Sequence, residues 1–419
     1  MDLLLKHITK LETRDSKLEI SITGSKSETN RLLLLQALFP NLTLKNTSNS
    51  DDSEVMKQAL QNSQPETHNP QLIDIHHAGT AMRFLTAFFA IQENREVVLT
   101  GSSRMHERPI KILVDALRQL GAEISYESNE GFPPIKINGK KLTQNRVALA
   151  ANVSSQYISA LLLIAPKLEN GLELTLEGEI TSVPYINMTL ELLNEIGIET
   201  SFVGNKIIIN PKSQILHPKS IIIESDWSSA SYYYSIIALS EIGTEITLSC
   251  YKKNSLQGDS ALAEIYINFG VETIFETNSI ILKKTNNYQS SIIYYQLNNS
   301  PDIAQTIAVT CFGLGLGCHL TGLHTLKIKE TDRLVALKTE LSKLGALVSV
   351  TNDSLTLKPS NHINPNCSIK TYQDHRMAMA FAPLALKTSI IIEEAEVVSK
   401  SYPTFWEDLK RIGFNISKL

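Results

Sequence analysis

The stretch Leu72-Ile73-Asp74-Ile75-His76-His77-Ala78-Gly79-Thr80-Ala81-Met82-Arg83 passes from a β-branched apolar run, through a small pair, into a helix-like run. Alternation of period two gives way to apolar residues at helical spacing within a dozen positions. The same passage recurs along the chain, at Gly24-Ser25, Ser154-Ser155, Ser228-Ser229, Pro301-Asp302 and Asp374-His375. From Gly79 onward the intervals are 75, 74, 74 and 73 positions, and only the first, from Ser25 to Gly79, is shorter, at 54. A repeat this long is one supersecondary unit per period.

A second marker keeps the same phase. Gly121, Gly197, Gly270, Gly345 and Gly413 each follow a helix-like run and precede a β-like one, at steps of 76, 73, 75 and 68. Glycine there predicts a left-handed helix C-cap, which a side chain would resist. Within the second unit the pattern predicts strands over 72–76, 97–100 and 122–126, and helices over 80–91 and 109–120, the last with Pro109 in its first turn. Each unit reads as strand, helix, strand, helix and one or two further strands. Six units exceed what one pair of layers can bury, so the reading is an α/β (α+β) chain of two domains with three units each. The domain border is expected near Ser225, giving 24–225 as one domain and 1–23 with 226–419 as the other. A strand over 18–22 is expected to join the second.

Composition narrows the function. The 419 residues are 42% hydrophobic and 20% charged, an ordinary globular balance rather than a disordered one. No apolar run approaches the ~18–20 residues that span a bilayer, and the first residues lack the apolar core of a signal peptide. Four cysteines without CxxC spacing indicate neither a zinc site nor a disulfide framework, and a reducing cytoplasm fits them. A net charge of −4 argues against bulk nucleic-acid binding while leaving room for a local cationic cleft.

The chain places cations where helix physics disfavours them. A helix N-terminus is partly positive and carries unpaired N–H groups, so lysine or arginine there is repelled. Gly24-Ser25-Lys26-Ser27-Glu28-Thr29-Asn30-Arg31 opens a helix that continues over 32–38, with Ser27 as the expected cap. Asp374-His375-Arg376 opens a helix over 377–386. Lys329 and Arg333 lie four apart around the start of a helix over 331–344, which predicts that they share one face. An anionic ligand reverses each of these costs. Other patterns carry less. Ile20 stands where a phosphate loop needs its first glycine. Gly313-Leu314-Gly315-Leu316-Gly317 follows a helix and reads as a tight helix-to-strand loop. His76-His77 lacks metal-ligand spacing. Asp51, Asp52 and Glu54 read as acidic residues capping a helix.

Taken together with Arg104-Met105-His106-Glu107-Arg108-Pro109-Ile110, Val153-Ser154-Ser155-Gln156-Tyr157, Asn254-Ser255-Leu256-Gln257-Gly258-Asp259 and Lys329-Glu330-Thr331-Asp332-Arg333-Leu334, these stretches resemble the 5-enolpyruvylshikimate-3-phosphate synthases along essentially the whole chain. The resemblance implies two similar domains of three βαβαββ units each, an inside-out α/β barrel with a hinge between halves that close on substrate. It implies transfer of the enolpyruvyl group of phosphoenolpyruvate to the 5-hydroxyl of shikimate 3-phosphate, with release of inorganic phosphate. The path is addition and elimination through a tetrahedral intermediate, with no metal and no cofactor. A monomer serving these two small substrates, with no nucleic-acid or membrane partner, is expected.

Carried over by position, the resemblance assigns Lys26, Ser27, Arg31, Ser154, Ser155, Ser182, Tyr185, Asp302 and Lys329 to shikimate 3-phosphate. It assigns Lys26, Gly79, Arg104, Arg333, Arg376 and Lys400 to phosphoenolpyruvate, and Gln156 to both. Asp302 is the implied base at the 5-hydroxyl. Glu330 is the implied proton carrier at the methylene carbon, with Lys26 as a further proton-transfer residue. Two phosphates and two carboxylates bring roughly −5 to −6. Seven of these residues are cations, and Asp302 with Glu330 leaves a surplus of five positive charges. Four of the seven are arginines, whose planar fork suits bidentate contact with phosphate and carboxylate.

Three positions depart from the family pattern: His77 stands for asparagine, Phe84 for proline and Thr325 for asparagine. The related transferase of UDP-N-acetylglucosamine is the nearest alternative. It commonly carries a cysteine in the loop matching Ser102-Ser103-Arg104, and this chain has none. A non-catalytic anion-binding protein is a second alternative, but it gains nothing from carboxylates such as Asp302 and Glu330 among its cations. Gly79, having no side chain, is expected to leave room for glyphosate at the phosphoenolpyruvate position.

Overall fold

A computed structural model describes the chain except for residues 12–17, 62–69, 152–153, 179, 181–182, 213, 216 and 287–290. It divides into two compact units, Ser25–Ile223 and Met1–Gly24 with Glu224–Leu419.

In the unit Ser25–Ile223, three helices are buried along nearly their whole length: Lys26–Leu38, Gly79–Ala90 and Ser155–Ile164. A helix that is apolar all round belongs inside a core. The strands alternate instead: Glu96–Thr100 and Leu172–Glu177 bury every second residue. One face of each sheet therefore packs inward and the other meets solvent. The helices form the inside of this unit and the sheets its outside.

One topology recurs. Gln71–Asp74 runs parallel to Glu96–Thr100, which pairs antiparallel with Ile135–Asn138, and that strand pairs antiparallel with Glu123–Tyr126. Arg146–Ala150, Leu172–Glu177, Lys206–Ile209 and Thr200–Val203 repeat the order, as do Ile292–Gln296, Gly317–Thr321, Leu355–Leu357 and Val348–Val350 in the other unit. A parallel pair needs a crossover, and the buried helix supplies it. The other unit has the same inside, formed by Trp227–Leu239, Ala304–Gly313 and His375–Phe381.

Two repeats exchange their first strands. Lys219–Ile222 precedes the helix Trp227–Leu239 in sequence but pairs in parallel with Leu42–Lys45. Glu19–Ile20 precedes Lys26–Leu38 but pairs with Glu245–Ser249, so the strand expected over 18–22 is seated there as two residues. Leu3–Lys6 enters the last sheet between Ile390–Ile392 and Asn415–Lys418. Among the described residues the sheet of Leu42–Lys45 has two strands, which matches the short first interval of the repeat.

The five expected glycine caps all have positive φ, from +73° at Gly270 to +101° at Gly121 and Gly413. Other boundaries differ from expectation for local reasons. The helix expected from Pro109 starts at Lys111, because Ile110 has φ −134° and the Pro109 carbonyl accepts from Tyr157 Oη at 2.6 Å and Arg83 Nη2 at 2.9 Å. Ser25, not Ser27, caps Lys26–Leu38, its Oγ accepting from Glu28 N. The helix expected over 377–386 is α-helical over His375–Phe381 and tightens to 3₁₀ over Ala382–Leu386, where Pro383 removes a donor.

Candidate active site

Each unit carries its own cluster of charged side chains at the starts of its buried helices. In Ser25–Ile223, Lys26 Nζ lies 3.2 Å from Asp52 Oδ2, so the cation that the helix dipole repels is held by a carboxylate. His77 Nε2 stands 3.9 Å from the other oxygen of Asp52. Asp51 and Asp52 do open a helix, Asp51–Gln61, as expected, but Asp52 also serves Lys26. Ser154 caps the helix Ser155–Ile164 by accepting from Gln156 N at 3.3 Å. Gln156 Nε2 donates to Thr80 Oγ1 at 3.2 Å, which draws it to the turn at Gly79.

Arg31 is buried in a cage of neutral oxygens. It donates to Ser27 O and Thr189 Oγ1 at 2.8 Å, to Ser159 Oγ at 2.9 Å and to Tyr185 O at 3.4 Å. Burial pushes its pKa down to about 10, with Tyr185 and Glu28 acting the other way. Its guanidinium also lies over the rings of Phe84 at 5.4 Å and Tyr185 at 5.9 Å. Phe84, a departure from the family pattern, thus forms a wall of the Arg31 cage.

Two residues are placed otherwise than expected. Arg104 does not join Lys26: its Nη1 pairs with Glu107 at 2.7 Å in an exposed turn. The space beside Gly79 is not open, because a Cβ there would lie 2.5 Å from Arg108 Nη1 and Nη2. Ser182 falls outside the described residues.

The second cluster, in Glu224–Leu419, is built around Arg333. All three guanidinium nitrogens meet carboxylates: Nε donates to Asp374 at 2.6 Å, Nη1 to Asp302 at 2.8 Å and Nη2 to Glu330 at 2.8 Å. Arg333 is 2% exposed and Asp374 fully buried. Burial alone disfavours the charge, but Asp374, Glu330 and Asp302 more than offset it and hold the guanidinium above its ordinary pKa. Lys329 Nζ and Arg376 Nη2 also reach Asp302, at 3.5 and 3.3 Å. Burial favours the neutral acid at Asp302, yet Lys329, Arg376 and Arg333 together hold its carboxyl well below the usual range. Lys329 and Arg333 therefore do meet, but through Asp302 rather than along a helix face. The helix begins at Arg333 with Asp332 as its cap, and Lys329 lies before it.

Backbone strain marks the approach to Asp374. Tyr372 and Gln373 are consecutive non-glycine residues at φ +55° and +56°. Such positions persist where surrounding contacts hold them. Lys400 Nζ is one of those contacts, donating to Gln373 O at 2.8 Å. Asp374 then caps the helix, its Oδ1 accepting from Arg376 N at 2.9 Å. Thr325 Oγ1, four residues ahead of Lys329, is buried with no hydrogen-bond partner among the described residues.

Asp52 and Asp374 join the charged clusters, by pairing with Lys26 and Arg333, and sequence reasoning did not place them there. Each sits in the first turn or cap of a helix, where an acid is expected for helix reasons alone. Counting them reduces the surplus of five positive charges to three. The one available signal was a cation adjoining each carboxylate's helix start.

The chain has relatives throughout its length. The family model described as EPSP synthase (3-phosphoshikimate 1-carboxyvinyltransferase) matches residues 41–409. A 3-phosphoshikimate 1-carboxyvinyltransferase of Bacteroides fragilis (strain YCH46) is 47% identical over 405 residues, covering 96% of each chain. One from Histophilus somni (strain 2336) is 35% identical over 423 residues, covering 95% of this chain and 96% of the relative. In fold, the solved EPSP synthase from Acinetobacter baumannii superposes over 100% of both chains with a TM-score of 0.80 at 21% identity. The chain belongs to the EPSP synthase family, the 3-phosphoshikimate 1-carboxyvinyltransferases.

Proposed function

We propose that the chain transfers the enolpyruvyl group of phosphoenolpyruvate to the 5-hydroxyl of shikimate 3-phosphate, and that its two charged clusters divide the work. Ser27, Arg31, Ser154, Ser155, Ser182, Tyr185 and Lys329 hold shikimate 3-phosphate, and Arg31 also donates to the carbonyls of Ser27 and Tyr185. Lys26, Gly79, Arg104, Arg333, Arg376 and Lys400 hold phosphoenolpyruvate, and Gln156 touches both substrates.

The observation that carries this reading is Arg333 bound at once to Asp302 and Glu330, with Lys329 and Arg376 on Asp302. Two acids held by one cation cluster suit a reaction that moves two kinds of proton. In the addition step the 5-oxygen bonds to C2 of phosphoenolpyruvate, Asp302 takes the hydroxyl proton, and C3 gains a proton from Glu330. In the elimination step C3 returns its proton to Glu330, the double bond re-forms, the C2–O bond to phosphate breaks, and the departing phosphate takes the proton held by Asp302, restoring both acids. Lys26 can assist in proton transfer. Well-placed acid–base groups contribute roughly 10²–10⁴-fold each.

The cations of this cluster are paired with the protein's own carboxylates. Substrate anions compete for Arg333, Arg376 and Lys329, and each cation they draw from Asp302 makes it a stronger base. Acid–base function is then switched on by binding itself. The four free cysteines support a reducing cytoplasm as the compartment. All proposed residues come from one chain, so the site as proposed needs no residue from a partner subunit. No helix among the described residues is long and apolar enough to cross a membrane.

Phosphate release with purified chain tests the function. Release should require both phosphoenolpyruvate and shikimate 3-phosphate, and UDP-N-acetylglucosamine should not replace the latter. Release that proceeds equally well with the nucleotide sugar overturns the assignment.

A further inference from the structure

The stretch Asn254-Ser255-Leu256-Gln257-Gly258-Asp259 has no part in the assignments above, yet its polar side chains tie into the start of the buried helix Trp227–Leu239. Ser255 Oγ donates to Glu224 at 2.6 Å. Gln257 accepts from Trp227 N at 2.9 Å and donates to Ser225 O at 3.0 Å. The stretch is thereby fixed against residues 224–228, and its last member, Asp259, is 4% exposed.

Asp259 Oδ2 accepts from Ser228 Oγ, and Asp259 Oδ1 is buried without a hydrogen-bond partner among the described residues. Ser228 Oγ in turn accepts from Arg376 Nη2 at 3.2 Å, the nitrogen that also lies 3.3 Å from Asp302. A serine hydroxyl has one proton to give. When ionised Asp259 takes it, the remaining lone pairs of Ser228 can only accept, and Arg376 is the donor that faces them. With that demand removed, the hydroxyl proton is free to turn toward Arg376 and repel it.

We propose that Asp259 is a positioning residue that sets the orientation of the Arg376 guanidinium through Ser228. It touches no substrate. This rests on the reading of Arg376 as a phosphoenolpyruvate contact. The relay divides one nitrogen of Arg376 between Ser228 and Asp302, so Asp302 alone does not dictate where the guanidinium points. Arg376 Nε, buried and without a partner among the described residues, is left for an anion.

Steady-state kinetics on the full chain above pH 7, where Asp259 is ionised, test this with Ser228→Ala, Asp259→Leu, the double variant and Arg376→Lys. Ser228→Ala and Asp259→Leu are each expected to raise KM for phosphoenolpyruvate roughly 10- to 150-fold, the range for a lost hydrogen bond to a charged group. KM for shikimate 3-phosphate should stay within about 2-fold, since only Arg376 is misdirected. The double variant should be no worse than the poorer single, because both act through one hydroxyl. Multiplying effects in the double variant, or equal rises in both KM values, overturn the relay. Ser228→Ala removes one atom from a half-buried site, so it answers the question even if the Asp259 variant does not fold. Should Arg376→Lys leave KM for phosphoenolpyruvate unchanged, the assignment of Arg376 fails. Should it raise that KM while both relay variants behave as wild type, only the inference about Asp259 fails.

Discussion

Arg333 donates from Nε to Asp374 Oδ2 at 2.6 Å, and neither side chain has appreciable contact with water. The pair stands at the base of the cluster that holds Asp302 and Glu330. Leaving a buried charge with no partner costs about 3–5 kcal/mol, and because Arg333 keeps Asp302 and Glu330 the loss here is expected below about 3 kcal/mol. Asp374→Asn should lower the urea midpoint by that equivalent with the slope unchanged. An unaltered midpoint would mean that the pair adds nothing to folding.

Phe84 tests the neutral cage around Arg31. Its ring is fully buried and lies beneath the guanidinium. Phe84→Ala should destabilise the chain by about 3–5 kcal/mol, the range for an aromatic deleted from a core. Phe84→Leu conserves most of the volume and should cost less than about 1.5 kcal/mol. Thermal unfolding of the two variants side by side decides it: equal losses would assign the effect to the ring's contact with Arg31 rather than to volume.

Much of this was legible in sequence, and the failures share a cause. The period of the glycine caps and helix starts was visible because each is a local backbone requirement. The seating of Glu19–Ile20 with residues 224–419 was expected, but its counterpart, Lys219–Ile222 on Leu42–Lys45, was not, since strand pairing is non-local and the segment looks like an ordinary strand. The cations stood out at helix starts because they oppose the dipole. Asp52 and Asp374 agree with the dipole, so nothing local set them apart from plain caps. Arg104 pairs with Glu107, three residues on, a contact between two exposed side chains that the charge pattern did not single out. Ser228 and Asp259 lie 31 residues apart and reveal their link only in three dimensions.

Asp259 gives a pH test of stability. Burial foremost, with a smaller push from Asp302, lifts its pKa to about 7 from an ordinary 3.8, while Arg376 and Ser228 pull the other way. The folded chain therefore binds a proton here that the unfolded chain has released between about pH 4 and 7. Stability from this group is fully present below pH 4 and is lost as pH rises through 7. Asparagine carries no such loss. The melting temperature of Asp259→Asn relative to wild type should climb between pH 4.5 and 7.5, and a constant difference would contradict the assigned burial of charge.

Gly79 bears on inhibition. Its missing Cβ is replaced by the Arg108 guanidinium, the mobile end of a long side chain. Glyphosate is expected to displace that group and compete with phosphoenolpyruvate, with an inhibition constant no larger than KM. An inhibition constant far above KM would show that Arg108 bars the position.

The central claim is that Asp302 serves as a base while restraining the cations that bind the anionic substrate. Asp302→Asn removes the base and releases Lys329, Arg333 and Arg376 in one step. Phosphoenolpyruvate binding and phosphate release measured on this variant address the claim most directly. Binding should be retained or tighter, and turnover should fall by roughly 10²–10⁴-fold. Full turnover, or lost binding with turnover per bound complex unchanged, would contradict it.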